Sequence, residues 1–239
     1  MEYPSNEYKS FLVIPHTFSA IRVFEDEEKI THMSATAITL KISCSPIDDG
    51  TMTPKEMGQK AIIGFQRLRA WLEAVLNNII IIDAGSPIME MMRKQVANLM
   101  LFTPGAADDS LLAVMFHSKA KSITADLMEI HSIIIASTDT ENTERYYRCL
   151  DGNYELPGIE YYNDLPMNKD FIAINDIPWW ERQTIDICEY ARLDNDDEQI
   201  ICFETDPLSE IGKEYLTNDE EADIIVFDAW KKDKDKDKE

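Results

Sequence analysis

The sequence predicts an α+β fold, with an antiparallel sheet that has helices packed on one face and is followed by an acidic C-terminal elaboration. Residues 11–45 are rich in β-branched side chains and alternate with period two, which is typical of half-buried strands. Residues 54–76 repeat apolar side chains at steps of three and four, which indicates an amphipathic helix. Residues 151–239 carry −17 of the net charge of −22, so the acidity belongs to the second part of the chain.

Two strand segments open the chain, at Phe11–Ile14 and Phe18–Phe24, and Pro15-His16 is expected to interrupt them. A third strand at Met33–Ser45 shows apolar alternation at its centre and is predicted to pair antiparallel with the second. A hairpin therefore begins the sheet.

The first helix carries the clearest local signature in the chain. Thr53 is predicted to cap it, with Pro54 as its first residue and Glu56 completing a capping box. Asn77-Asn78 is expected to end it. We further predict, in chain order, a strand at Ile79–Ile82, a helix at about Ile88–Phe102, a strand or helix at Leu111–Phe116, a helix at Ser118–Ile130, and strands at His131–Ala136 and Glu144–Cys149.

The composition changes after residue 150. We predict a core domain over residues 1–150, an acidic and aromatic-rich region packed on it over 151–230, and a disordered mixed-charge tail over 231–239. Within this part we expect a short helix at Glu181–Leu193 and strands at Gln199–Glu204 and Asp223–Phe227.

An aromatic cluster in this region can either pack inside the protein or contact a partner, because buried aromatic pairs anchor both cores and interfaces. The candidate partner-binding residues are Trp179, Trp180, Tyr161 and Tyr162.

Composition excludes several classes of protein. With 239 residues, of which 44% are apolar, the chain can build a packed core. Its apolar runs, such as Ile79–Ile82, are far shorter than the roughly 20 residues that span a bilayer. The acidic N-terminus lacks the apolar core of a signal peptide, so we expect a cytoplasmic protein without membrane contact. The four cysteines show no CxxC spacing and are expected to be reduced.

Motifs for cofactor binding or catalysis do not occur in the sequence. It contains no GxGxxG, GxxxxGK[ST], GxSxG or HExxH, and its eight glycines disfavour a phosphate-binding loop. We therefore predict no cofactor and no catalytic residues. His16, His32 and His117 are the candidates for a metal site, which would require the fold to bring them together.

The negative charge disfavours direct binding of DNA or RNA, because it repels phosphates. It is compatible with a solvated surface or with docking to a basic protein partner.

Four segments resemble the T-fold family of 6-pyruvoyltetrahydropterin synthase and 6-carboxytetrahydropterin synthase. Thr17-Phe-Ser-Ala-Ile-Arg22 resembles its Phe-x-Ala-Ala-His-Arg motif, and Ile30-Thr-His-Met-Ser34 resembles its His-Gly-His segment. Phe65-Gln-Arg-Leu-Arg69 is similar to the start of its first helix. Ile133–Thr138 with Tyr146-Tyr147-Arg148 is similar to its last two strands.

The resemblance implies a relative without the family's catalytic groups. Of its three zinc histidines only His32 is in register, with Ile21 and Ser34 at the other two places. The family's pterin-anchoring glutamate falls near Ser137, and its Asp-His pair falls near Asn77-Asn78. T-fold relatives join their sheets edge to edge into rings, so the resemblance also implies a homo-oligomer.

Three functional hypotheses follow. The first is a non-enzymatic interaction or assembly protein that self-associates and docks a protein partner. It would act in a host cytoplasm or virion if it is encoded by a phage, an origin suggested by a chain rich in Ile, Asn and Asp. The second is a pterin-type enzyme with a rearranged metal site that uses His32 with His16 or His117. The third is an acidic nucleic-acid mimic that inhibits a host protein.

Overall fold

A computed structural model of the protein describes residues 12–25, 28, 30–48, 50–96, 99–125, 127–138, 144–150, 155–157, 161, 171–173, 176–194 and 199–201. The chain divides into two compact units, residues 1–206 and 207–239, and all described residues belong to the first. The predicted strand at Asp223–Phe227 and the predicted tail over 231–239 lie outside the described residues. Within the described ranges, no helix has both the length and the apolar character needed to cross a membrane.

The described residues form three helices and nine strands. In chain order they are β1 (Leu12–Glu25), β2 (Thr31–Pro46), α1 (Pro54–Ala74), β3 (Ile79–Asp83), α2 (Met89–Val96), β4 (Met100–Thr103), α3 (Asp109–Thr124), β5 (Met128–Thr138), β6 (Glu144–Leu150), β7 (Phe171–Ala173), β8 (Tyr190–Asp194) and β9 (Gln199–Ile201).

The main sheet has six strands in the order β4-β3-β1-β2-β5-β6. Strands β1, β2, β5 and β6 pair antiparallel in succession, whereas β3 runs parallel to β1 and β4 runs parallel to β3. Strands β7, β8 and β9 form a second, antiparallel sheet. The predicted α+β class is confirmed, and the main sheet is mixed because β3 and β4 extend its antiparallel part.

Strand β1 is continuous through Pro15, so the predicted interruption is wrong. Strand β3 pairs with β1 only from Ala20 to Val23, whereas β2 pairs with β1 along its whole length. Within the described part of the chain, Pro15 therefore lies where only one side of β1 has a strand neighbour. A residue without a backbone N–H is tolerated at such an edge.

Helix α1 begins as predicted. The backbone N–H of Glu56 donates to Thr53 Oγ1 at 3.3 Å, and the N–H of Thr53 donates to Glu56 Oε2 at 2.8 Å, which completes the capping box. Gly64 then allows the helix to approach the start of β5 closely. A Cβ atom at Gly64 would lie 2.5 Å from Met128 Cγ.

Three predicted elements differ from the structure. Helix α2 ends at Val96 and the buried run Met100–Thr103 is strand β4, because a short apolar run does not distinguish strand from helix. Helix α3 is a single helix that ends at Thr124, where Ala125 adopts φ +39°. Residues 181–189 contain turns rather than a helix, and β8 follows them.

Helices α1 and α3 cover one face of the main sheet, and the core lies between these two layers. Along β2 the side chains of Ile38, Leu40 and Ile42 point to this face and are 0% exposed. Phe116 of α3 makes edge-on ring contacts with Phe18 of β1 and with Trp71 of α1. We call this side of the sheet the helix-covered face.

Candidate functional site

The opposite side of the main sheet is exposed where β1, β2 and β5 form it, and we call this part the open face. Side chains alternate between the two faces of a strand, so every second residue points to this side. By register, Val23 of β1, Ile82 of β3 and Phe102 of β4 point to the same side and are buried, so the open face does not extend over β3 and β4. The open-face side chains that precede Val23 in β1, and those of β2 and β5 next to them, are exposed or half-buried. They are Val13, Pro15, Thr17, Ser19 and Ile21 of β1, Met33, Ala35, Ala37, Thr39 and Lys41 of β2, and Ile134, Ala136 and Thr138 of β5.

A shallow depression of about 430 Å³ lies at the centre of the open face. Its floor consists of small side chains on neighbouring strands, since Ser19 pairs with Ala37 and Ala37 pairs with Thr138. Ile21 and Asn78 also line the depression, and none of the described lining residues is charged. The geometry therefore favours an uncharged, flat or apolar group at this place.

Large apolar side chains are exposed on the open face, both next to the depression and farther along β1. Val13, Ile21 and Met33 on the open face are 55%, 42% and 57% exposed. Six of the eleven large apolar side chains that are exposed in the described part of the chain belong to β1, β2 or their connection. Three of these six, Val13, Ile21 and Met33, lie on the open face, and exposed apolar side chains that share one face are typical of a binding surface.

A buried ion pair supports the sheet directly behind the depression. Arg22 Nη2 donates to Asp109 Oδ1 at 2.5 Å, and Ser137 Oγ donates to Asp109 Oδ2 at 2.6 Å. Asp109 is the first residue of α3, where the helix dipole stabilises a carboxylate. The ion pair thus ties α3 to β1 and β5, next to Ile21 and Thr138 of the open face.

The three candidate metal ligands lie in different surroundings. His16 pairs with Leu40 and stacks on Phe18, and burial lowers its pKa although Glu73 opposes this shift. His32 pairs with Phe24 at the other end of the hairpin. Eight residues of strand separate His16 from Phe24, roughly 26 Å, so His16 and His32 do not share one ion.

His117 is 0% exposed in α3. Among the described residues, no three His, Cys, Asp or Glu side chains are grouped so that they could hold a metal ion.

The positions that correspond to the zinc histidines of the resembling family do not converge either. Ile21 lies on the open face opposite Ala35. Ser34 pairs with Arg22 and His32 pairs with Phe24, so both alternate to the other side of the hairpin. Substituting histidines at Ile21 and Ser34 would therefore not complete a zinc site with His32.

The candidate partner-binding aromatics are packed inside the chain. Trp179 and Trp180 are 0% exposed, and Tyr161 is 4% exposed. Trp179 Nε1 donates to the carbonyl oxygen of Phe102 at 2.9 Å, and Trp180 makes edge-on contacts with both Trp179 and Tyr161. Tyr162 lies outside the described residues. These three described side chains fill the core and present no surface to a partner.

None of the predicted site residues is an apolar residue of the open face, although the sequence pattern of β1 and β2 indicates this surface. Val13, Ile21 and Met33 are apolar at positions that alternate with the buried residues of the same strands. A strand with apolar residues on both faces is typical of a sheet that is covered on both sides.

Comparisons with known proteins identify a limited structural similarity. No family model and no curated protein matches the sequence. Solved structures of 6-pyruvoyltetrahydropterin synthase are similar to 59% of this chain over 98% of their own length. The Plasmodium vivax enzyme has 8% identity and a TM-score of 0.35, and the Plasmodium falciparum enzyme has 11% identity and a TM-score of 0.34. At these values the similarity assigns neither a family nor an activity to this chain.

Proposed function

We propose that this protein is a non-enzymatic assembly protein that self-associates and docks a protein partner through its open face. The observation that carries the proposal is the exposure of Val13, Ile21 and Met33 on the open face, whose depression is lined by no charged side chain among the described residues. Burying large apolar side chains is the main favourable term in protein association, about 25 cal/mol per Å² of apolar surface.

The shape of the open face suits contact with another flat surface. Small side chains at Ser19, Ala35 and Ala37 keep its centre low, so a second sheet could pack on it at about the usual 10 Å spacing. Ile21 and Met33 would then insert between the side chains of the second copy.

The net charge of −22 gives this contact a distinctive response to salt. Two copies of so acidic a protein repel each other at long range, and salt screens this repulsion. We therefore expect self-association through an apolar face to strengthen between 0.05 and about 0.5 M NaCl. Docking of a basic partner to acidic residues would instead weaken over the same range.

Sedimentation velocity at rising protein concentration tests the proposal. The wild type is expected to form dimers or larger assemblies, and Ile21→Asp is expected to remain monomeric. Ile62→Asp is the matched control, because Ile62 is 49% exposed on α1, away from the open face. A wild type that stays monomeric at all concentrations and salts, or equal loss in both variants, would contradict the proposal.

A second candidate function, binding of a small molecule as in a pterin-type enzyme, is favoured by the depression itself. Ser19, Asn78 and Thr138 offer uncharged hydrogen-bonding groups beside apolar side chains. Metal analysis and native mass spectrometry of protein purified without chelator distinguish the two candidates. Stoichiometric zinc or a copurified small molecule would favour the enzyme, and their absence together with concentration-dependent assembly would favour the assembly protein.

A third candidate, the acidic nucleic-acid mimic, rests on the net charge of the sequence. It predicts capture of a basic host protein that is released at about 0.5 M salt.

A further inference from the structure

A buried lysine organises the turns that precede β8. Lys119 of α3 is 0% exposed, and the three N–H groups of its Nζ are shared among four backbone carbonyl oxygens within hydrogen-bonding distance. The acceptors are those of Trp179 at 2.7 Å, Arg182 at 3.1 Å, Thr184 at 2.5 Å and Asp186 at 3.3 Å. Four carbonyls from an eight-residue segment therefore converge on a single nitrogen.

The charged side chains of the same segment bond to one another around this centre. Arg182 donates to Asp186 Oδ1 at 2.7 Å and to Glu189 Oε2 at 3.2 Å, and it also bonds the carbonyl oxygen of Cys188. Glu189 is 0% exposed and accepts a hydrogen bond from the backbone N–H of Trp179. With Lys119, the cluster contains two cations and two anions.

This arrangement has the chemistry of a site for a large monovalent cation. Rings of backbone carbonyl oxygens replace the hydration shell of K⁺ in selective channels. Sites for Mg²⁺ and Ca²⁺ use carboxylates at about 2.0–2.6 Å, whereas the four oxygen atoms bonded to Lys119 Nζ are carbonyl oxygens at 2.5–3.3 Å.

We propose that residues 179–186 form a cation-binding loop whose resident cation is the ammonium group of Lys119, and that the site takes K⁺ or NH₄⁺ when this group is removed. The loop seats Trp179 and Trp180 in the core, so the cation also holds these two indoles in place. Buried carbonyls that lose their partner are costly, so the packing of this loop against α3 loosens when no cation is bound.

Two variants of Lys119 test the proposal in chloride salts of K⁺, NH₄⁺, Na⁺ and choline at equal ionic strength. Lys119→Ala empties the site, whereas Lys119→Met fills the space of the aliphatic chain without supplying a charge. In choline chloride both variants are expected to melt about 10 °C below the wild type, with increased iodide quenching of tryptophan fluorescence. In KCl or NH₄Cl, Lys119→Ala is expected to recover about half of this loss, and Lys119→Met none.

The wild type, whose site is already filled, is expected to have the same melting temperature with each cation. Equal melting of Lys119→Ala in all four salts would overturn the proposal, as would equal recovery of Lys119→Ala and Lys119→Met in KCl.

A measurement on the wild type keeps the proposal testable if the variants do not fold. In ¹⁵N-lysine NMR at pH 7, Lys119 is expected to give an ammonium signal whose protons exchange slowly with water and couple to backbone carbonyl carbons. A neutral amine, or exchange as fast as that of exposed lysines, would contradict the assignment of a bound cation.

Discussion

The two faces of the β1–β2 hairpin are built from alternate residues of the same strands, yet their side chains differ in burial. On the helix-covered face, Phe18 and Leu40 are 3% and 0% exposed, whereas Ile21 and Met33 on the open face remain largely exposed. The register of the hairpin fixes both patterns at once. The helix-covered face stabilises the fold, and the open face is the one that we propose for recognition. Substitutions at neighbouring positions of one strand should therefore have different effects. On the helix-covered face they should lower the stability of the fold, and on the open face they should weaken the proposed binding.

The largest expected effect is at the buried ion pair. Asp109→Ala removes the acceptor for Arg22 and Ser137 and leaves the Arg22 charge buried. We expect the free energy of unfolding to fall by about 3–5 kcal/mol. Ile21→Ala, adjacent in sequence to Arg22 but on the open face, should change it by less than about 0.5 kcal/mol. Urea denaturation measures both values.

A double variant separates the buried charge from simple loss of packing. Arg22→Met with Asp109→Leu replaces both charges by apolar groups and should recover most of the stability. A loss below about 1 kcal/mol for Asp109→Ala would show that water reaches the ion pair.

The next effect compares neighbours on β2. Leu40→Ala truncates a side chain that is 0% exposed and should cost about 2–5 kcal/mol. Lys41→Ala lies on the open face and should cost less than about 0.5 kcal/mol. Thermal and urea unfolding of the two variants at a concentration where the protein is monomeric give the values. Similar losses at both positions would mean that the open face is covered as well.

A smaller effect is expected at the contact between α1 and β5. Gly64→Ala would place a methyl group against Met128 and Leu127, and we expect a net loss of about 1–2 kcal/mol. Gly58→Ala in the same helix meets no atom within 4 Å and should gain about 0.5–1 kcal/mol from helix propensity. Urea denaturation measures the two changes, and a gain in both variants would argue against a close approach at Gly64.

The smallest effect concerns pH. Burial lowers the pKa of His16 in the folded protein, so the unfolded chain binds the proton more readily. Stability should therefore decrease as pH falls below the unfolded value of about 6.5. His16→Gln should remove this part of the pH dependence while leaving the rest. Urea midpoints measured from pH 7.5 to 5.5 check the difference, and parallel curves for the two proteins would contradict the assignment to His16.

Local signals in the sequence predicted the elements that depend on neighbouring residues. The capping box at Thr53 and Glu56 marks the start of α1, and the alternation at Ile38, Leu40 and Ile42 marks β2. Pro15 misled the prediction because its effect depends on whether a strand lies beside that part of β1. The same strands also carry apolar residues at the open-face positions. Whether these residues are buried or exposed depends on whether another layer covers them, which the sequence pattern does not show.

The Lys119 site could not be predicted from sequence patterns. Its four acceptors lie 60 or more positions from Lys119 in the chain. Backbone carbonyls carry no sequence signature, so nothing in residues 179–186 indicates a cation. The sequence indicates that Trp179 and Trp180 are packing anchors. Whether they lie in the core or at an interface depends on which residues pack against them.

Methionine oxidation at increasing protein concentration tests the central claim most directly. Met33 on the open face and Met91 on α2 are 57% and 63% exposed, so both should react equally with hydrogen peroxide in dilute solution. As the protein associates, we expect Met33 to become protected while Met91 continues to react at the same rate. Equal oxidation of both methionines at every concentration would contradict assembly through the open face.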